Sequence, residues 1–87
     1  MAARITMNLN AEGELEIWLN PEGRDLLVKE LQGLSETNDH FHLRPSPFGE
    51  VEISNRPYRP NDKVLEYGKV LFRTDAWDVK HFPHVTG

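Results

Sequence analysis

Two histidines separated by one residue, His40 and His42, form the pair in this sequence best suited to metal chemistry. Residues two apart on a β-strand share a face, so both imidazoles could bind one metal ion. His81 and His84 could add ligands if the C-terminal segment folded over them. The same spacing is also typical of two exposed histidines on a solvated sheet face, because it is a weak metal signal. We therefore predict no metal and no other cofactor, and keep His40 and His42 as weak candidate ligands.

Two pairs of carboxylates also share strand faces, Glu14 with Glu16 and Glu50 with Glu52. Acid–base catalysis by paired carboxylates requires burial or enclosure that separates their pKa values. Both pairs fall on the predicted outer face of a sheet. Contact with water and with basic side chains on the neighbouring strand provides no such enclosure there. The sequence contains no Gly-x-Ser-x-Gly turn, phosphate-binding glycine loop or dinucleotide-binding pattern. We predict no catalytic residue and a protein that is not an enzyme.

Trp18 gives a different signal, because it lies among charged residues on the predicted outer face of its strand, beside Glu14 and Glu16. Tryptophan, tyrosine and arginine are the residue types enriched in binding hot spots. One interpretation is an exposed aromatic contact for a partner. The other is that the C-terminal segment covers Trp18, through Trp77 or Phe82.

Arg56, Tyr58 and Arg59 place the same residue types on a loop stiffened by Pro57 and Pro60. Read as a binding loop, this segment could grip an acidic peptide or phosphates. Read structurally, it is an ordinary connection whose prolines limit its flexibility. Two arginines are too few to indicate nucleic acid by themselves.

The strands that position these residues are predicted from alternation. Residues 5–9 and 15–19 alternate apolar and polar side chains, and residues 10–13 supply a loop with a glycine, so the two segments form a hairpin. We expect each strand to bury one face and to expose the other. The predicted inward residues are Ile5, Met7, Leu9, Leu15, Ile17 and Leu19.

A helix is predicted to begin at residue 21, because Asn20 can cap free N–H groups and Pro21 suits the first helical position. An ion pair between Asp25 and Lys29 is expected on the solvent-exposed face of this helix. We predict that Gly33 ends the helix. The buried stripe should contain Gly23, Leu27, Leu31 and Leu34, flanked by Leu26 and Val28, with Gly23 allowing close approach to the sheet.

A second hairpin is predicted after the helix, with a turn at residues 45–49. Its inward residues are Phe41, Leu43, Val51 and Ile53. Residues 56–62 should form an extended loop, and residues 64–73 a strand with a bulge or bend at Gly68. The chain then ends either in a short helical turn that carries Trp77 and stops before Pro83, or in a tail pinned by Trp77 and Phe82.

These elements predict an α+β fold in the order ββαβββ, with one helix packed on an antiparallel sheet. A single helix covers only one face of a sheet, so we expect the other face to be open or covered by the C-terminal segment. The 87 residues suit a single domain spanning residues 1–87.

The composition excludes several classes of protein. The chain has no cysteine, which excludes disulfides, thiolate metal sites and cysteine nucleophiles. No apolar run approaches the length of a membrane span, and the start Met1-Ala2-Ala3-Arg4 lacks the apolar stretch of a secretory signal. We therefore expect a cytoplasmic protein without membrane contacts.

The charge is unevenly distributed along the chain. Residues 1–55 carry four Lys or Arg and ten Asp or Glu, hence −6, whereas residues 56–87 carry six and four, hence +2. This distribution argues against nucleic acid as the partner, since binding it needs cations that neutralise phosphates. An acidic surface that faces a basic protein partner fits the distribution better.

Several stretches together resemble a family of small bacterial immunity proteins from polymorphic toxin systems, the family labelled immunity protein 32. They are ELEIWLNPEGRDLL at residues 14–27, DHFHL at 39–43, GEVEI at 49–53 and the run at 64–72. The shared features, a strand tryptophan and a Glu-Gly at a helix start, correspond to Trp18 and Glu22-Gly23. The resemblance covers about residues 5–72. It implies an α+β protein that neutralises a cognate toxin by binding it, and it supplies no catalytic residues.

An acidic inhibitor suits a basic, nuclease-type toxin, because complementary fields speed association. The hypothesised contact face comprises Trp18 and the two acidic pairs, with Arg56, Tyr58 and Arg59 on the adjoining loop. Two alternatives stay open. The chain could be a homodimer or larger homo-oligomer that pairs open faces or sheet edges, or a small metal-binding protein based on His40 and His42.

Overall fold

The computed structural model of the chain describes residues 2–45 and 49–86. It has an α+β architecture, which confirms the predicted class. The elements, in chain order, are β1 (Ile5–Leu9), β2 (Leu15–Leu19), α1 (Pro21–Gln32), β3 (His40–Arg44), β4 (Val51–Glu52), β5 (Lys63–Val64), β6 (Gly68–Leu71), α2 (Asp75–His81) and a 3₁₀ turn (Pro83–Val85).

The first two strands form the predicted hairpin. β1 and β2 pair antiparallel in a one-to-one register that sets Met7 opposite Ile17. In the connecting loop, Asn10 Oδ1 accepts the backbone N–H groups of Glu12 and Glu14 at 3.0 and 2.9 Å. Gly13 takes a positive φ of 83°, a backbone conformation that residues with a Cβ atom rarely adopt.

The strands form two three-stranded sheets, in the orders β2–β1–β5 and β4–β3–β6, where one antiparallel sheet was predicted. The predicted strand at residues 64–73 divides, because β5 pairs with β1 and β6 pairs with β3. The predicted second hairpin is wrong, since β3 and β4 run parallel with Leu43 opposite Val51. Residues 46–48 of its predicted turn lie outside the described residues.

Residues 53 and 54 join the two sheets through consecutive backbone hydrogen bonds. The N–H of Ile53 donates to the C=O of Arg44 on β3 at 2.9 Å, and the N–H of Ser54 donates to the C=O of Ile5 on β1 at 2.7 Å. Extended chain after β4 therefore lies between the two central strands and places their apolar faces around one core.

The start of α1 confirms the predicted cap. Asn20 Oδ1 accepts the N–H groups of Gly23 at 2.7 Å and Arg4 at 2.8 Å, so it caps the helix and ties it to β1. A Cβ at Gly23 would lie 2.4 Å from the C=O of Arg4, which confirms the predicted close approach. The expected ion pair of Asp25 with Lys29 is wrong, because Asp25 pairs with the neighbouring Arg24 at 3.0 Å.

The core lies between α1 and the two sheets. Its buried members are Ile5, Met7, Phe41, Leu43, Val51 and Ile53, with Leu26, Leu27, Leu34, Leu65 and Val70 packed against them. All four inward residues predicted for the second hairpin, Phe41, Leu43, Val51 and Ile53, are buried as expected, although Ile53 lies just after β4. Leu31, predicted in the buried stripe of α1, is exposed.

The predicted burial of β2 is wrong. Leu15, Ile17 and Leu19 are 59%, 48% and 41% exposed. They do share the core-side face with Ile5 and Met7, but β2 is the edge strand of its sheet and the apolar contacts concentrate on central β1. Conversely, Thr6 and Asn8, expected on the wet face, are buried.

Of the two endings that the sequence left open, the C-terminal segment forms the helical turn that carries Trp77 and stops before Pro83. Thr74 caps α2 by accepting the N–H of Trp77 at 3.1 Å. Trp77 contacts Arg73, His81 and Phe82, which all belong to the same C-terminal segment. Across the described residues, no helix combines the length and apolar character needed to cross a membrane.

Candidate functional site

The outer face of the β1–β2 hairpin carries a stacked aromatic pair. The ring of Tyr58 lies on the indole of Trp18 with centroids 4.1 Å apart and planes 12° from parallel. Tyr58 remains 48% exposed, whereas Trp18 is half-buried beneath it. The loop at residues 56–62 thus covers Trp18, where the sequence suggested either exposure or cover by Trp77 or Phe82.

A buried asparagine fixes the indole from the other side. Trp18 Nε1–H donates to Asn8 Oδ1 at 2.8 Å, and Asn8 Nδ2 donates to Glu16 Oε1 at 3.1 Å. The register explains this arrangement, because Asn8 lies directly opposite Glu16 and diagonally from Trp18 on the same face. Asn8 is fully buried, so both of its polar ends need these partners.

Arg59 closes the cluster across the loop. Its guanidinium donates to Glu16 through Nη2 and to Asp62 Oδ2 through Nε at 3.0 Å. Its Cζ lies 5.2 Å from the centroid of the Trp18 ring, a cation–π arrangement. The Asp62 side chain is only 3% exposed, so its ion pair with Arg59 holds the end of the loop together. The ion pair of Arg59 with Glu16 on β2 then ties the loop to the hairpin.

The charges of this cluster support one another. Hydrogen bonds from Asn8 and Asn10, together with the guanidinium of Arg59, hold the pKa of Glu16 below its ordinary value. Asp62 first, and then Glu16, raise the pKa of Arg59. Both groups therefore remain ionised at neutral pH, and Glu16 is a poor candidate for proton transfer.

Two further predicted residues lie at the margin of the cluster. Glu14 is exposed and accepts from Asn10 Nδ2 at 3.0 Å. Arg56 is exposed and, with Tyr58, lines a shallow depression of about 360 Å³ beside Arg4 and Thr6. The structure thus gathers six of the predicted residues on one surface, which we call the Tyr58 platform: Glu14, Glu16, Trp18, Arg56, Tyr58 and Arg59.

The other acidic pair lies at the second sheet. Glu50 Oε1 accepts the backbone N–H of His42 at 2.9 Å, and this bond, with the His42 ring, lowers the pKa of Glu50. Glu52 is exposed and lies opposite Arg44 in the strand register. No hydrogen bond or ion pair between described residues joins Glu50 or Glu52 to the Tyr58 platform.

The candidate metal ligands pair with carboxylates separately. The rings of His40 and His42 are 5.0 Å apart and nearly perpendicular. His40 Nδ1 lies 2.8 Å from Asp39, and His42 Nδ1 lies 3.2 Å from Glu50. His81 and His84 contact Trp77 and Phe82 instead. Over residues 2–45 and 49–86, no group of three or more His, Asp or Glu side chains is arranged to hold a metal ion.

A separate groove of about 420 Å³ lies at the C-terminal helix and includes Arg73, Trp77, Lys80 and Asp39 in its lining. Arg73 pairs with Asp39 at 3.0 Å and lies 4.8 Å from the Trp77 ring. The His40 hydrogen bond, followed by Arg73, lowers the pKa of Asp39. Three of its eight lining side chains, those of Asp39, Arg73 and Trp77, already contact one another.

Sequence reasoning missed Asn8, Asn10 and Asp62, which hold the Tyr58 platform together. One signal was available for Asn8, because asparagine is depleted in strands and a mid-strand asparagine implies a specific partner. Asp62 also gave a local signal, because Pro60, Asn61 and Asp62 are turn-forming residue types and the contact of Asp62 with Arg59 spans the turn at residues 59–62.

No protein-family model, curated protein or solved structure matches this chain.

Proposed function

We propose that this chain is a protein-binding module, an immunity-type inhibitor that neutralises a cognate bacterial toxin, and that the Tyr58 platform is its contact surface. The observation that carries the proposal is the stacked Tyr58–Trp18 pair, which presents an exposed tyrosine on a rigid base. The resemblance of residues 5–72 to immunity proteins supports the same class.

Preorganisation is the physical reason for choosing this surface. An aromatic side chain already fixed in one orientation loses little conformational entropy when a partner covers it. Tyr58 is held by Trp18, and Trp18 is held in turn by Asn8. The exposed Arg59 beside it has its guanidinium oriented by Asp62. Tyrosine and arginine in fixed geometry are the residues from which hot spots are commonly built.

Charge supports a basic partner. The chain as a whole carries a net charge of −4, whereas the platform itself is balanced, with Glu14 and Glu16 against Arg56 and Arg59. A basic, nuclease-type toxin would be attracted by this field, and Glu50 and Glu52 would extend the field from the second sheet. The same charge disfavours nucleic acid as a ligand. We further propose a cytoplasmic location and a role without catalysis.

The test compares two exposed tyrosines, each near an arginine. Tyr58→Ala removes the top of the platform, whereas Tyr67→Ala removes a tyrosine 5.5 Å from Arg44 that lies outside the platform. Tagged wild-type chain is used to capture its partner from lysate of the native bacterium, and the affinity of each variant for that partner is then measured by calorimetry. A hot-spot tyrosine costs about 2 kcal/mol or more on truncation, so Tyr58→Ala should weaken binding roughly thirtyfold.

Immunity itself needs a growth assay. Expression of the captured partner should arrest a bacterial host, and co-expression of the wild-type chain should restore growth. Tyr58→Ala should restore it less well than Tyr67→Ala. A partner that is harmless to the host would contradict the immunity role. Equal affinity of both variants would show that the platform is not the contact surface.

A further inference from the structure

β2 is an edge strand whose core-side row of side chains is exposed. The sheet order β2–β1–β5 leaves its outer side without a partner strand among the described residues. Exposed edges are normally protected by charge, proline or a bulge. β2 contains no proline, pairs with β1 without a bulge, and presents Leu15, Ile17 and Leu19 on this face with no charge between them. Such an edge is suited to pairing with another strand.

The backbone groups of the same three residues point to the open side. Bonded and non-bonded residue pairs alternate along an antiparallel ladder. Backbone hydrogen bonds at the two ends of the hairpin, at 2.9 and 3.1 Å, identify the even-numbered pairs as bonded, namely Asn10–Glu14 and Arg4–Asn20. The odd-numbered Leu15, Ile17 and Leu19 therefore direct their N–H and C=O groups away from β1.

We propose that β2 pairs antiparallel with β2 of a second copy of this chain, about a two-fold axis at Ile17. Two three-stranded sheets would then join into one of six strands. This goes beyond the proposed function and does not depend on it, because the Tyr58 platform occupies the opposite face of the sheet.

The register follows from the backbone. With the axis at Ile17, Leu15 of each copy lies opposite Leu19 of the other, and all three outward residues find bonded partners. Moving the axis by one residue to Trp18 would set Leu15 opposite Pro21, which has no N–H to donate. The Ile17 register therefore satisfies more backbone groups than the register centred on Trp18.

The charge pattern permits the same register. Across the axis Glu16 lies opposite Trp18, and Glu14 lies opposite Asn20, so no carboxylate directly faces another. Like charges directly opposite one another destabilise a strand pair, and this arrangement avoids that effect. In this register β2 can therefore pair with a second β2 both through its backbone hydrogen bonds and without repulsion between facing carboxylates.

The apolar surface of β2 is smaller than that of a stable interface, so the dimer it supports is a weak one. The exposed parts of Leu15, Ile17 and Leu19 amount to on the order of 300 Å² per chain, against the ~800 Å² that each partner buries in a standard interface. α1, which packs against β2, carries two more exposed apolar residues, Val28 and Leu31. We expect a dimer that dissociates on dilution.

The first test is sedimentation equilibrium across a range of concentrations. Wild type should approach twice the 10.1 kDa chain mass as concentration rises. Ile17→Lys should weaken the dimer by at least about thirtyfold, because it buries an unpaired charge at the axis. Val85→Lys, at an exposed apolar residue of the C-terminal 3₁₀ turn, is the matched control and should dimerise like wild type. Circular dichroism checks that each variant is folded.

The second test reads the register and does not depend on Ile17→Lys folding. The chain has no cysteine, so Ile17→Cys introduces a unique thiol. At a bonded pair the Cα atoms lie about 5.5 Å apart, within disulfide range. Oxidation should therefore link two Ile17→Cys chains rapidly, and Val85→Cys chains slowly. Equal linking rates would overturn the proposal.

Two other outcomes would also overturn it. One is a wild-type chain that stays monomeric at all concentrations. This holds also if the β2 N–H groups become protected from hydrogen exchange when a toxin partner binds, because the strand would then pair with the toxin and not with a second copy. The other is a dimer that survives Ile17→Lys but is lost in Val85→Lys. Neither outcome bears on the Tyr58→Ala comparison, so the two proposals can fail separately.

Discussion

The indole N–H of Trp18 donates to the side-chain oxygen of Asn8 at 2.8 Å, across the hairpin and two residues from Glu16, the direct partner of Asn8. The other end of the Asn8 amide donates to Glu16, so a single buried asparagine orients both an aromatic and a carboxylate. A polar residue at the centre of a strand thus determines the geometry of the surface above it.

We expect Asn8→Ala to destabilise the fold by about 1–3 kcal/mol, because it leaves the indole N–H of a half-buried tryptophan without its acceptor. For a domain of this size the loss corresponds to a fall in Tm of roughly 4–24 °C. Thermal unfolding followed by circular dichroism measures it. Asn55→Ala, at an exposed asparagine, is the control and should change Tm little. Equal Tm changes in the two variants would show that the Asn8 bonds contribute nothing.

The stacking of Tyr58 on Trp18 can be tested by fluorescence. In a Trp77→Phe background Trp18 is the only tryptophan, since the chain has two. We expect Tyr58→Ala to shift its emission to longer wavelength and to increase quenching by acrylamide, because water gains access to the indole face. The lost aromatic pair should cost about 0.5–1.5 kcal/mol of stability.

Two controls accompany the fluorescence measurement. Tyr58→Phe keeps the ring and should preserve the wild-type spectrum, whereas Tyr67→Ala removes an exposed tyrosine outside the platform and should leave Trp18 unaffected. A Trp18 spectrum that is the same in Tyr58→Ala and in wild type would mean that the stack does not form in solution.

Stability should fall in acid, and Glu16 should account for part of the fall. The folded chain lowers the pKa of Glu16, mainly through the Asn8 hydrogen bond, and similarly lowers the pKa of Asp39 and Glu50. A carboxyl with a depressed pKa stabilises the fold above its unfolded pKa of about 4. That contribution is lost as the pH falls through the folded pKa.

Glu16→Gln should therefore be less stable than wild type at pH 7, and the difference should shrink as the pH falls below about 4. Urea unfolding at a series of pH values measures it. Glu66→Gln, at an exposed residue between β5 and β6, is the control. A Glu16→Gln difference that stays constant from pH 7 to the acid range would exclude an ionised, hydrogen-bonded Glu16 as its source.

Local signals predicted the local structure well. Asn20 and Pro21 correctly placed the start of α1, and alternation correctly placed the β1–β2 hairpin, because both depend on neighbours in the chain. The inward residues Phe41 and Val51 were also correct. The parallel pairing of β3 with β4 was missed, because strand direction depends on where the chain travels between strands and side-chain alternation does not encode it.

The candidate site shows the same division. Alternation correctly put Trp18 and Glu16 on the same face, opposite Ile17. It could not tell that this face would be covered by the loop at residues 56–62, forty residues further along the chain, while Ile17 on the edge strand would remain exposed. Which face of a strand is buried is decided by tertiary packing, and the apolar pattern of β2 alone favoured the wrong answer.

Gly23 and Gly33 allow a final prediction in which one substitution type has opposite effects within the same helix region. Inside the helix, at Gly23, alanine improves helix propensity; at Gly33, just past the last helical residue, it restricts the unfolded chain; each effect is worth up to about 1 kcal/mol. At Gly23, however, the new Cβ would lie 2.4 Å from the C=O of Arg4, and relieving that overlap must displace the helix from β1. At Gly33 the nearest atoms are 3.6 Å away and φ is −79°, which alanine adopts readily. We expect Gly23→Ala to lower the free energy of unfolding by about 1–3 kcal/mol. Gly33→Ala should leave it unchanged or raise it by up to about 1 kcal/mol. Urea unfolding of both variants measures the difference, and a Gly23→Ala variant as stable as Gly33→Ala would mean that α1 does not lie this close to β1.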